Sequence, residues 1–142
     1  IGIDHFKAVI DEFDYDIADK VLIELAKVIH SNINEFDMVG RLNGDEFLVS
    51  ILNNTSEHQA EELAKKIISD FAEISILVDE EKKQSLKKTI CVRFEIYRLN
   101  SDITITDCIK NADIALYEAK NKGRSQLFKF SDLSAEDTID LF

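Results

Sequence analysis

The stretch Arg41-Leu42-Asn43-Gly44-Asp45-Glu46-Phe47 decides the fold, because it separates two short β-like runs, residues 37–42 and 46–52. Asn-Gly is a strong short-range hairpin signal: a type I′ turn needs positive φ at both central residues, and these two types tolerate it. The spacing predicts a tight hairpin about a third of the way along the chain, with the Asp45 and Glu46 carboxylates at its tip.

Upstream of the hairpin, Ile17, Val21, Leu22, Leu25, Ala26 and Ile29 recur at helical spacing and form one apolar stripe. A shorter helix before it carries Phe6, Val9, Ile10 and Phe13, with a break at residues 14–16. Asp4 is placed to cap that helix, and residues 1–3 read as the end of a strand. Downstream, Thr55 or Ser56 opens a helix with the stripe Ala60, Leu63, Ala64, Ile67, Ile68 and Phe71. Residues 74–88 carry two lysine pairs and read as an exposed loop between strand edges. Residues 89–99 alternate as a strand around Ile90, Val92, Phe94 and Ile96. A last helix is predicted over about 106–121, with Ile109, Ala112, Leu116 and Ala119 inward and Gly123 ending it. Residues 126–130 close as a strand. The order β-α-α-β-β-α-β-α-β predicts an α+β fold. It is a mixed five-stranded sheet with the hairpin at its centre, flanked by helices, on a ferredoxin-like split βαβ plan.

The 142 residues are enough for one domain with a real core, at 45% hydrophobic and 32% charged residues. A net charge of −11 argues against nucleic acid, which calls for a basic face. No apolar run approaches the roughly 18 residues of a membrane helix. Cys91 and Cys108 lack metal-ligand spacing and read as free thiols of a reducing cytoplasm. The chain opens at Ile1 inside an apolar segment and reads as a piece of a longer protein.

Carboxylates on a tight turn, such as Asp45 and Glu46, are placed to hold Mg²⁺, a hard cation that takes oxygen ligands and leans on phosphates. Taken alone, they read as an acidic solvated hairpin. Lys120 and Arg124, four apart at a helix end, either complement the helix dipole or grip phosphate, Arg as a fork and Lys as a point charge. His5, His30 and His58 stand in separate segments and form no metal triad.

The blocks Ile3-Asp4-His5-Phe6-Lys7, Asp16-Ile17-Ala18-Asp19, Arg41 through Phe47, Ala112 through Lys120, and Gly123-Arg124 stand in one order along nearly the whole chain. Together they resemble the GGDEF (diguanylate cyclase) family. The resemblance implies a palm-like fold shared with nucleotide cyclases, and condensation of two GTP into cyclic di-GMP and pyrophosphate across a head-to-head homodimer with Mg²⁺. It implies that Asp45 and Glu46 are catalytic, with Asp45 a metal ligand. It implies that Phe6, Lys7, Lys120 and Arg124 hold GTP, and that Asp19 reads the guanine edge.

Several positions depart from the family pattern. Gly2 stands where the family has its other metal-binding aspartate, and Ile10 where an asparagine reads guanine. Asn43 replaces the first glycine of the signature. Cys91 and Arg93 replace a small serine and glycine, which puts a long cation on a packed strand unless that face is open. The product-inhibition motif reads Asn34-Glu35-Phe36-Asp37, without its arginine. These departures favour a degraded site: a weakly active or GTP-binding regulatory module with a weak Mg²⁺ site and Mg²⁺-dependent nucleotide binding. The alternatives are a functioning cyclase, and a non-catalytic interaction domain between a sensor and a phosphodiesterase domain. Residues 1–131 are assigned to the GGDEF domain and 132–142 to an acidic tail or linker. Its expected place is the cytoplasm, with GTP, cyclic di-GMP and a second copy or partner domain as partners.

Overall fold

The structure is a computed structural model. It describes residues 1–52, 55–99, 101–121, 123 and 127–129, without the side chains of Glu118, Ala119, Phe128 and Lys129. In chain order the elements are β1 (Gly2–Ile3), α1 (Phe6–Phe13), α2 (Tyr15–Asn32), β2 (Met38–Asn43), β3 (Glu46–Ser50), α3 (Glu57–Ala72), β4 (Ile76–Asp79), β5 (Gln84–Leu86), β6 (Ile90–Phe94), α4 (Ile105–Asn121) and β7 (Leu127–Lys129).

Five strands form one sheet in the order β2-β3-β1-β6-β7. β7 runs parallel to β6 and the other pairs are antiparallel, so the sheet is mixed, as the element order predicts. The hairpin lies to one side of this sheet, with β2 at the edge and β1 in the middle. β1 takes the middle because it pairs with β3 through Gly2 and Glu46, and with β6 through Gly2 and Cys91.

The two faces of the sheet follow from alternation along β6, since successive side chains point to opposite sides. Ile90 and Val92 join the main core with Val21, Leu25 and Ile29 of α2 and Ala64, Ile67 and Phe71 of α3. Cys91 turns to the other face and packs with Leu116 of α4. Each large side chain buried this way, such as Phe71, contributes roughly 1.5–3 kcal/mol of transfer free energy.

Helix starts are set by short polar side chains. Asp14 caps α2 by accepting from the N–H groups of Asp16 and Ile17. Ser56 and Gln59 form a reciprocal capping box at α3. Asp4, however, does not cap α1. That cap is His5, at φ 54°, with no side-chain hydrogen bond. Asp4 is buried, accepting from Thr89 Oγ1 at 2.6 Å and from Cys91 Sγ at 3.2 Å. Strand pairing draws it in, because Ile3 lies opposite Ile90 and so brings residues 89 and 91 beside it.

Three further details differ from the sequence reading. Residues 74–88 build a second, two-stranded sheet, β4-β5, with Lys83 at φ 52° in its turn. The turn of the long hairpin is shifted by one residue: Asn43 pairs with Glu46 inside the strand, and Gly44 alone takes positive φ, at 38°. The buried face of α4 includes Cys108, Ala115 and Leu116, while Ile109 is exposed. Ile109 borders a cavity of about 420 Å³ beyond Ile1, bounded by β3, β6, α3 and α4. Arg93 is buried on the wall of that cavity, so its long side chain has room on a strand packed elsewhere. Gly123, at φ 134°, follows the last helix as predicted. The tail 132–142 lies outside the described residues.

Candidate functional site

The site is built where β1 hands over to α1. His5, in the left-handed region, turns the chain sharply from strand to helix. The first turn of α1 then lines a cleft of about 320 Å³ with Ile3, His5, Phe6, Lys7 and Ala8. No side chain caps that turn and none of its residues is acidic. Ala8 N–H donates back to the His5 carbonyl at 3.1 Å, and the N-terminal end of the helix dipole gives the cleft wall a partial positive charge.

The opposite wall comes from two distant elements, the hairpin turn with Asp45 and the last turn of α4 with Lys120. The turn is fixed from both sides. Ile3 N–H donates to the Asp45 carbonyl at 3.3 Å, and Arg41 Nε donates to the Gly44 carbonyl at 2.7 Å. α4 is fixed by its packing on β6. Between them, the Lys120 ammonium donates to Asp45 Oδ2 at 3.0 Å, with the two side chains 23% and 26% exposed.

Of the predicted site residues, the structure brings Phe6, Lys7, Asp45 and Lys120 together on one cleft. Glu46 is half-buried and borders the larger cavity beyond Ile1. Asp19 is exposed on α2 and does not line the cleft. Arg124 lies outside the described residues. Ile10 is half-buried against the main core.

The segment from Asn34 to Asp37, expected from the resemblance to be a degraded inhibitory motif, forms a structural clasp. Asp37 accepts from the N–H of Asn34 at 3.0 Å and from the N–H of Leu52 at 3.1 Å. Asn34 Oδ1 accepts from the N–H of Phe36 at 2.9 Å. Both Asp37 oxygens are thus engaged in tying the end of α2 to the hairpin.

No local sequence signal marks Thr89 and Cys91 as partners of Asp4. Alternation along a strand puts 89 and 91 on one face, but the partner depends on the β1–β6 register. By sequence, Gly2 is only a missing ligand. In the structure Gly2 makes room: a Cβ there would stand 2.8 Å from Lys120 Cε and 2.9 Å from Lys120 Nζ.

The residues present do not form a built metal site. Mg²⁺ demands oxygen ligands in near-octahedral order. Gly2 offers no side-chain oxygen, Asp4 is occupied by Thr89 and Cys91, and Asp45 already faces an ammonium. Among the described residues no group of three or more His, Cys, Asp or Glu side chains stands close enough to hold a metal ion.

The family model described as diguanylate cyclase, GGDEF domain, matches residues 1–126. The chain belongs to the GGDEF family. Diguanylate cyclase A of Treponema denticola is 35% identical over 127 residues, which are 89% of this chain and 33% of that protein. The cyclic di-GMP phosphodiesterase NbdA of Pseudomonas aeruginosa is 30% identical over 131 residues, 92% of this chain and 16% of that protein. Among solved structures, the active GGEEF domain of a diguanylate cyclase from Vibrio cholerae superposes with a TM-score of 0.72. It is 33% identical, with 91% of this chain and 78% of that chain covered. The GGDEF chain spans about a third of the Treponema cyclase. No helix among the described residues is long and apolar enough to cross a membrane.

Proposed function

We propose that this GGDEF domain works in cytoplasmic cyclic di-GMP signalling as a GTP-binding, regulatory module with feeble cyclase activity. One observation carries the reading. The cleft keeps the groups that grip phosphate and lacks those that complete the chemistry. Lys7, Lys120 and the uncapped first turn of α1 line it, while its first strand presents Gly2. Charged hydrogen bonds to phosphate contribute about 1.5–3 kcal/mol each at best. A net charge of −11 repels a nucleotide at range, so binding is weak and falls with added salt. Ile10, half-buried, offers the guanine edge no hydrogen bond. Asp19 reads the base and Arg124 adds a phosphate contact in this reading, with Glu46 beside Asp45 in the catalytic pair. The homodimer brings two such clefts face to face.

A second reading, a non-catalytic interaction domain beside a phosphodiesterase domain, is favoured by the likeness to the phosphodiesterase NbdA.

GTP titration by calorimetry, with product chromatography on the same sample, tests the proposal. The expected result is high-micromolar or weaker binding and at most traces of cyclic di-GMP. Turnover like that of an intact cyclase would sink the regulatory reading. No GTP binding at millimolar concentration would leave the interaction-domain reading.

A further inference from the structure

Gly2 and Lys120 are coupled by space. A Cβ built on Gly2 meets the far end of Lys120 at 2.8 and 2.9 Å and Leu116 Cδ2 at 3.3 Å. Any side chain at position 2 therefore displaces the Lys120 head from where it stands. With glycine there, Lys120 reaches past the middle strand and meets Asp45 at 3.0 Å across 75 residues of sequence. Among the described residues, the ion pair of Asp45 is with Lys120. Among the described residues, His5 and Lys7 line the same cleft without an ion pair to Asp45.

We propose that Lys120, admitted by Gly2, serves Asp45 as a built-in cation in the place where the family holds a divalent metal. The proposal rests on reading the cleft as the family's nucleotide site. The Asp45 carboxylate is neutralised by an ammonium at contact distance, so a divalent cation arriving there meets a like charge and a single carboxylate. A lysine ammonium has three N–H donors. One serves Asp45 and the others are left for phosphate oxygens. The chain thus accepts a triphosphate without supplying a metal of its own. The Mg²⁺ dependence expected from the hairpin carboxylates does not follow once Lys120 occupies Asp45.

Mn²⁺ alone, without nucleotide, is the probe, followed by the loss of its free-ion paramagnetic resonance signal. Wild type and Asp45→Asn should bind Mn²⁺ equally weakly. Gly2→Asp moves the lysine head and adds a carboxylate, and should gain a Mn²⁺ site at least about tenfold tighter, the lower end of what ligand-sphere changes do to metal affinity. Gly2→Ala, which moves the lysine without adding a ligand, should gain much less. Should Gly2→Asp fail to fold, the ammonium ¹⁵N–¹H signal of Lys120 decides. It is expected in wild type, where a partner slows exchange with water, and should be lost in Asp45→Asn and Gly2→Ala. A wild-type Mn²⁺ site that Asp45→Asn abolishes, or a Lys120 signal indifferent to Asp45, overturns the proposal. Because no nucleotide is present, this failure is distinct from a failed GTP titration.

Discussion

Lys120 Nζ lies 3.0 Å from Asp45 Oδ2, joining the last turn of α4 to the tip of the long hairpin. The pair closes one wall of the cleft. About a quarter of each side chain meets solvent, so screening limits its energy. A double-mutant cycle of Asp45→Asn and Lys120→Met, read by urea unfolding, should give a coupling of about 0.5–1 kcal/mol. A coupling of zero would mean that the two side chains do not meet in solution.

Restoring the family's residues should raise activity and lower stability together. Gly2→Asp together with Ile10→Asn returns a carboxylate to the first strand and an amide to the base position. GTP turnover by product chromatography should rise above the wild-type trace. Ile10 packs against the main core, so the asparagine should destabilise the fold by about 1–3 kcal/mol. Unchanged turnover in a folded double variant would count against a lost-ligand explanation.

Asp37 should prove structural. Asp37→Ala leaves the exposed N–H groups of Asn34 and Leu52 to water and should lower stability by about 0.5–1.5 kcal/mol. Cyclic di-GMP, titrated by calorimetry, should bind the variant as poorly as wild type. Tight wild-type binding that Asp37→Ala abolishes would show that another cation replaces the missing arginine.

The cap of α3 is an independent check on local structure. Ser56→Ala removes the acceptor for the Gln59 N–H and should cost about 0.5–2 kcal/mol by urea unfolding.

Asp70 predicts a pH dependence. The Lys66 ammonium, and then the Asn32 amide, hold its carboxyl below the ordinary aspartate range. A folded-state pKa below the unfolded one gives stability that is present above the unfolded value and lost as pH falls through the folded one. Asp70→Asn should therefore flatten the acid side of the stability curve, comparing urea midpoints at pH 7 and near pH 3. An equally steep acid limb in the variant would remove Asp70 as a cause.

Much of this was legible locally. The α2 and α3 stripes need only the 3.6-residue period, and Val21, Leu25, Ile67 and Phe71 are buried as that period requires. The hairpin was legible from Asn43-Gly44, but not the placement of its turn. A register shift between Arg41 and Asn43 moves the positive φ onto Gly44 alone. The α4 stripe was read half correctly, since Cys108 and Ala115 join Leu116 while Ile109 faces the cavity. Phe6, Lys7, Asp45 and Lys120 were named from the family resemblance, and the fold gathers them around one cleft.

The sequence by itself determined the helices, the strands of the main sheet, their order and the motif blocks, because periodicity and turn chemistry are properties of near neighbours; the β4-β5 sheet, read as a loop, was not among them. Tertiary structure decided which partners Asp4 and Asp45 meet. Asp4 turns inward to Thr89 and Cys91 because Ile3 pairs with Ile90. Asp45 meets Lys120 because α4 docks on β6 and Gly2 leaves space between them. Strand register and helix docking join residues 75 to 87 positions apart. No local pattern encodes those distances, since they are set by packing the whole sheet and its helices at once.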